Sequence, residues 1–278
     1  MTTASFDYPT FVARNEGYVA RSTQHKISEV RLLIAGCGLG ASTAIAAARM
    51  GFRHFVLVDG DTVELHNLNR QFYDFADVGS LKVDALARQL RRINPDIAVT
   101  AVAANLDAGN VQSLVGQADV VFDTIDFLDL EAILHLHGTA RAMGRPVFTA
   151  LSIGFGAGVL YFPGDSGPTL PQIVAPDVAR VAAQGEAGYG AVFAQVMSRI
   201  GSHLDAQVME QVARALTVME DGRPCPASQI SVGSFAVAAL AVSMIHDMLE
   251  GRAVPVAPNL VVHSFRNHVT RIVDISGG

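Results

Sequence analysis

LLIAGCGLGASTAIAAARM, residues 32–50, holds three features in one short stretch: an apolar run of strand length (Leu32 to Ala35), a glycine turn, and a helix of small residues (Ala41 to Met50) able to pack closely on a sheet. A strand that feeds a glycine turn and then a helix opens a βαβ unit. The alternation continues outward. Phe55 to Val58, Val120 to Phe122 and Val147 to Ala150 are further apolar runs of strand length, and Lys82 to Arg92 is an amphipathic helix stopped before Pro95. Another strand is expected from about Gly158 to Phe162. The predicted fold is therefore α/β, a doubly wound, mostly parallel, Rossmann-like sheet carrying a helical insert.

The chain has 278 residues, half of them hydrophobic, enough for one large α/β domain or one plus an appendage. Charged residues make up 17% and the net charge is −6, so no broad cationic surface exists to hold a nucleic-acid backbone, and nucleic acid is not an expected partner. Cys37 and Cys225 are the two cysteines, too few for a disulfide framework or a four-thiolate zinc site. A cytoplasmic location without zinc is the expectation. The N-terminus has neither the basic start nor the apolar core of a signal peptide. The stretch from Ile230 to Ile245 carries no charge but is rich in Ala, Ser and Gly and falls short of the roughly 20 residues that span a bilayer. It is predicted as a buried helix, with no membrane as partner.

Four segments are expected: an N-terminal arm (1–30), a nucleotide-binding domain (31–163), a helical insert (164–224) and the C-terminal part of the same domain (225–278). The insert opens with Gly and Pro. Phe193, Val196, Met197, Ile200, Leu204, Val208, Val212 and Leu216 then recur at three- and four-residue steps, the period of a helix. That period fits a lid and a second packing layer equally.

In the glycine turn, Gly36, Gly38 and Ala41 fit the GxGxxA form in which backbone N–H groups and a helix N-terminus approach phosphate. Asp59 closes the second strand about 20 residues later, where a carboxylate accepts hydrogen bonds from ribose hydroxyls. An NAD-dependent oxidoreductase would look the same to this point. DGDTVELHNLNRQF, residues 59–72, followed by Lys82, says more. Asn67, Arg70 and Gln71 stand at i, i+3 and i+4, a spacing that lets side chains converge on one ligand. Hydride transfer needs little cationic help, whereas attack of a carboxylate on the α-phosphate of ATP brings like charges together and needs Arg and Lys.

On these residues, the run from Gly36 to about Gly164 resembles the adenylation domain of the ubiquitin-activating-enzyme-like superfamily of ThiF, MoeB and HesA type. The resemblance implies ribose contact for Asp59, ATP contacts for Asn67, Arg70, Gln71 and Lys82, and a nucleotide-binding set that includes Gly36, Gly38, Gly40 and Asp61. In VVFDTIDF, residues 120–127, it implies that Asp126 holds Mg²⁺, with Asp123 as a companion nearer the core. Asp123 read by itself is a strand-end carboxylate placed to cap the next helix. FVARNEG (11–17) and TQHKI (23–27) resemble the superfamily's N-terminal arm and make Arg14 the arginine that reaches the triphosphate, delivered across a dimer interface by an arm with little core of its own. Pro224 to Gly251 resembles the helix after the superfamily's crossover region.

The activity so implied is adenylation of a carboxylate by Mg-ATP with release of pyrophosphate, by a homodimer whose catalytic residues are Arg14, Arg70, Lys82 and Asp126. The substrate would be the C-terminus of a peptide or small ubiquitin-like protein. A tRNA-modifying dehydratase of the same superfamily and an NAD-dependent oxidoreductase are the alternatives.

This sequence departs from the family in several places. The loop has one glycine fewer, which leaves the roles of Gly36 and Gly38 open. The CxxC pairs are absent, and so is a cysteine between Gly38 and Pro224 to take over the acyl group. Cys225, in RPCPAS (223–228), is either an acyl-accepting thiol or a loop cysteine. Cys37 reads as a small packing residue. His135 and His137, two apart on a helix, diverge too far to share a metal and read as core or surface residues. Gly277 and Gly278 resemble the diglycine tails such enzymes activate, and equally a frayed terminus.

Overall fold

The computed structural model describes residues 5–126, 129–174, 197, 200–220 and 228–276. After α1 (Tyr8–Val12) and α2 (Arg21–Glu29), strands and helices alternate: β1 (Arg31–Ala35), α3 (Gly40–Met50), β2 (His54–Val58), α4 (Lys82–Ile93), β3 (Ala98–Val102), α5 (Val111–Gly116), β4 (Val120–Asp123), α6 (Leu130–Ala142) and β5 (Val147–Ser152). The chain continues through β6 (Gly156–Phe162), α7 (Leu170–Val174), α8 (Ala206–Glu220), α9 (Ser231–Glu250), β7 (Asn259–Ser264) and β8 (Val269–Asp274). Among the described residues eight strands form one sheet in the order β3-β2-β1-β4-β5-β6-β7-β8. The first five are parallel. The last three pairings are antiparallel.

Successive residues of β1 face opposite sides, and both sides are covered, which is why LLIA is apolar throughout. Leu32 and Ile34 join the core cluster that holds Ala44, Ala47 and Val237, while Leu33 and Ala35 join the one that holds Leu114 and Leu136. The alanines of α3 leave room for α9, which packs on α3, β5 and β6. By length and composition α9 would suffice to cross a membrane, yet Val237, Ala241 and Ile245 lie in the core formed with α3. It extends five residues past the charge-free stretch and ends where Gly251 adopts φ 84°.

Two expectations need correction. The arm is not short of core: Val19 and Ile27 are buried with the main cluster, Tyr8 donates to the Gly51 carbonyl (2.8 Å), and Asn15 and Gln24 both donate to the Met50 carbonyl (3.1 and 3.0 Å). The periodic run of the insert is not one helix. A 3₁₀ turn at Gly201–His203 interrupts it, and Asp205 then accepts from the Gln207 N–H (3.0 Å) as α8 begins. Leu170, Ile173 and Ile200 are buried against α6, so these parts of the insert form a packing layer. Phe193 and Val196 lie outside the described residues, as do Cys225, Gly277 and Gly278.

Candidate nucleotide site

Ala35 is in register with Val58 on one side and Asp123 on the other, so β1, β2 and β4 end together. Connections leave β1 and β4 on opposite faces of the sheet here, the switch point at which open α/β sheets bind ligands. The glycine loop fills it. Gly36 has φ +88°, and a Cβ built there would stand 2.5 Å from the Thr124 carbonyl oxygen. Thr124 in turn donates its hydroxyl to the Gly36 carbonyl (2.7 Å). Gly38 faces only the Gln71 amide, the far end of a flexible side chain, so of these two glycines Gly36 is the one that cannot carry a side chain. Gly40 opens α3, whose N-cap makes no side-chain hydrogen bond, leaving first-turn N–H groups for an anion. Gly36→Ala is expected to destabilise the fold by about 2 kcal/mol or more, combining a left-handed residue with a backbone clash. A thermal melt with an unshifted midpoint would contradict this.

Asp59 holds the loop from below. One carboxylate oxygen accepts from the Cys37 N–H (2.7 Å), the other from the Asp61 N–H (2.8 Å). Burial pushes its carboxyl above the usual range, opposed by the Lys82 charge and those two N–H donors. The ionised form is the one that accepts from ribose hydroxyls. Affinity for adenosine, which brings a ribose and no titrating phosphate, is therefore expected to fall as pH drops, starting above the ordinary carboxylate pKa of about 4. Fluorescence or calorimetric titration from pH 7 to 4 tests this, and a flat profile contradicts it.

Lys82, buried at the start of α4, pairs with Asp61 (2.6 Å), while its N–H donates to the Asp61 carbonyl (2.9 Å). Asp61 thus positions Lys82. The buried Tyr73 hydroxyl donates to the carbonyls of Cys37 (2.7 Å) and Lys82 (3.3 Å), tying the loop to α4. Burial raises the Cys37 thiol well above its normal range, consistent with a packing residue.

After a 3₁₀ turn (Leu65–Asn67) the Asn67 carbonyl accepts from the N–H groups of Arg70 (3.1 Å) and Gln71 (2.8 Å), and the three side chains take different partners within the chain. Buried Asn67 closes a capping box by accepting from the Glu64 N–H (2.9 Å). Gln71 lies on Gly38, its Oε1 buried with no hydrogen-bond partner among the described residues. Arg70 donates to Gln229 (2.6 Å), the His66 carbonyl (2.9 Å) and Asn69 (2.9 Å). Among the described residues no carboxylate pairs with it. Burial lowers its guanidinium pKa.

Asp123 is 1% exposed and both its oxygens are engaged: one accepts from the Ile125 N–H (3.1 Å), the other meets His137 and Thr149 (3.0 Å each). It does not cap α6; Asp129 does, accepting from the Ala132 N–H (3.1 Å). Asp126 is exposed at the start of the β4–α6 connection. His135 pairs with Glu131 at 3.5 Å and points away from buried His137. Arg14 is exposed on a 3₁₀ turn (Ala13–Asn15) at the opposite end of α3 from the glycine loop. The sequence reading missed the contributions of Tyr73, Gln229, Thr149 and His137, and no local motif announced them.

The glycine loop leading into the N-terminus of α3 fits a nucleotide phosphate, and exposed Asp126 supplies a hard oxygen donor suited to Mg²⁺. Fold and site geometry together define an α/β protein with a glycine loop at the switch point of its sheet. The model of the ThiF family matches residues 12–275, and the chain belongs to that family. It is 33% identical over 140 residues to the sulfur carrier protein ThiS adenylyltransferase of Escherichia coli K12, covering 50% of this chain and 55% of the relative. It is 40% identical over 105 residues to the molybdopterin-synthase adenylyltransferase of the same organism, covering 37% and 42%. The chain thus spans about half the length of these relatives. A crystal structure of E. coli MccB with ATP matches with a TM-score of 0.65 at 16% identity, covering 91% of this chain and 66% of that one, a likeness of fold.

Proposed function

We propose that this protein is an ATP-dependent adenylyltransferase, acting as a homodimer on the C-terminal carboxylate of a peptide or small ubiquitin-like protein. The observation that carries the reading is Arg70, a half-buried cation held by neutral oxygens one residue before Gln71 on the glycine loop. Hydride transfer places little demand on such a charge, whereas carboxylate attack on a phosphate needs it. The names of the two E. coli relatives and the ATP in the MccB structure support it.

In this reading Asp59 orients the ribose and the glycine loop fixes the phosphates. A carboxylate oxygen attacks the α-phosphorus, the bond to the bridging oxygen breaks, and pyrophosphate leaves with its electron pair. Arg70 and Lys82 stabilise the charge that builds up, Lys82 after exchanging Asp61 for phosphate. Asp126 holds Mg²⁺, which supplies further neutralisation of the phosphates.

The test is carboxylate-dependent exchange of labelled pyrophosphate into ATP across a panel of peptides and small carrier proteins. No exchange with any carboxylate, together with NADH binding at micromolar levels, would replace this reading. Because this step needs no thiol, Cys225→Ser is expected to leave exchange unchanged. A reductant-sensitive adduct lost in that variant would add a transfer step.

A further inference from the structure

We propose that His137 and Thr149 are positioning residues that, through Asp123, hold the loop bearing Asp126 in the geometry that binds Mg²⁺ with ATP. The inference rests on the adenylyltransferase reading of the same site. Asp123 and Thr149 are register partners on β4 and β5, and His137 reaches them from α6. His137 Nε2, Thr149 Oγ1 and Asp123 Oδ2 are each 3.0 Å from the other two, and all three residues are buried. A carboxylate accepts and does not donate, so the Nε2 proton and the hydroxyl proton both serve Asp123. The ring stands edge-on to Phe162 at 4.8 Å.

The other oxygen of Asp123 accepts from the Ile125 N–H, one residue before Asp126. Thr124, between them, bonds to the carbonyls of Ala35 (3.0 Å) and Gly36 (2.7 Å). The loop is therefore pinned at both edges, to the glycine loop by Thr124 and to the sheet by Asp123. Asp126 follows directly, and its carbonyl accepts from the Asp129 N–H (2.8 Å). The apolar side chains of Ile125, Ile133, Leu160 and Leu170 line the small cavity beside Asp123. With one donor gone, Asp123 is free to turn and Ile125 loses its anchor. Groups that orient a metal ligand without touching the metal typically change metal affinity by about 10- to 100-fold.

The experiment measures binding of a fluorescent ATP analogue as a function of Mg²⁺ concentration, with no carboxylate substrate needed, for the wild type and for Thr149→Val, His137→Leu, His137→Gln and Asp126→Ala. Thr149→Val and His137→Leu are expected to raise the half-saturating Mg²⁺ concentration about 10-fold or more. Affinity for the analogue at saturating Mg²⁺ should recover. His137→Gln, which offers an amide N–H at a similar reach, should restore most of the Mg²⁺ response. A purely structural role would lower the melting temperature and leave the Mg²⁺ response in place. If both variants keep the wild-type response while Asp126→Ala raises it, the inference is overturned and the site assignment stands. If Asp126→Ala also keeps the wild-type response, the assignment of Asp126 falls and takes the inference with it. Should His137→Leu fail to fold, the near-isosteric Thr149→Val decides the matter.

Discussion

Asp126→Ala is expected to cut pyrophosphate exchange by about a hundredfold or more, the scale of losing one preorganised electrostatic stabiliser of a phosphoryl transition state. The fold should survive, because Asp126 is exposed and lies beyond the end of β4. The expectation is sharper for this carboxylate than for its neighbour. Asp123 has both oxygens committed to protein donors, so recruiting it to a metal would break bonds to Ile125, His137 and Thr149. Asp123→Ala should accordingly lower the melting temperature as well as exchange, since it leaves buried donors unsatisfied. Exchange within a few-fold of wild type in Asp126→Ala, at limiting Mg²⁺, would remove this residue from the reaction.

The strands that carry the site were legible because each is buried on both faces, which makes LLIA, FVLV and VVF continuous apolar runs. β3 was not: it is an edge strand with Ala98, Thr100 and Ala101 exposed, so AVTAV carries little hydrophobic signal. β7 and β8 extend the sheet by antiparallel pairing, outside the alternation that revealed the rest. The chemistry showed a similar split. Residue types at the ends of β1, β2 and β4 could be read in place, but their partners are distant in sequence. Lys82 meets Asp61, Arg70 meets Gln229, and Asp123 meets His137 and Thr149. His137 was set aside because pairing with His135 gave no chelate, although its partner stood on a neighbouring helix-to-sheet contact that spacing does not encode.

Arg14 supports the largest qualitative prediction, that each site is completed by the other subunit. Asn15, its neighbour, is fixed to the Met50 carbonyl at the C-terminal end of α3, whereas the glycine loop lies at the N-terminal end. The 11 residues of α3 separate the two ends by about 16 Å, further than an arginine side chain extends. The arm packs firmly on its own chain, so it does not swing over to its own nucleotide. A guanidinium in that position reaches a triphosphate only if the triphosphate belongs to another copy, in the manner of an arginine finger supplied in trans. Arg14→Ala and Arg70→Ala homodimers should each lose exchange by several orders of magnitude. Mixed under conditions that exchange subunits, half of the dimers become heterodimers, and one site of each holds Arg70 from one chain and Arg14 from the other. Activity should then return to about a quarter of wild type, since one of two sites works in half of the dimers. Action within one subunit predicts no recovery, because every site in the mixture lacks one arginine. Full exchange by a species that sediments as a monomer would sink the idea outright.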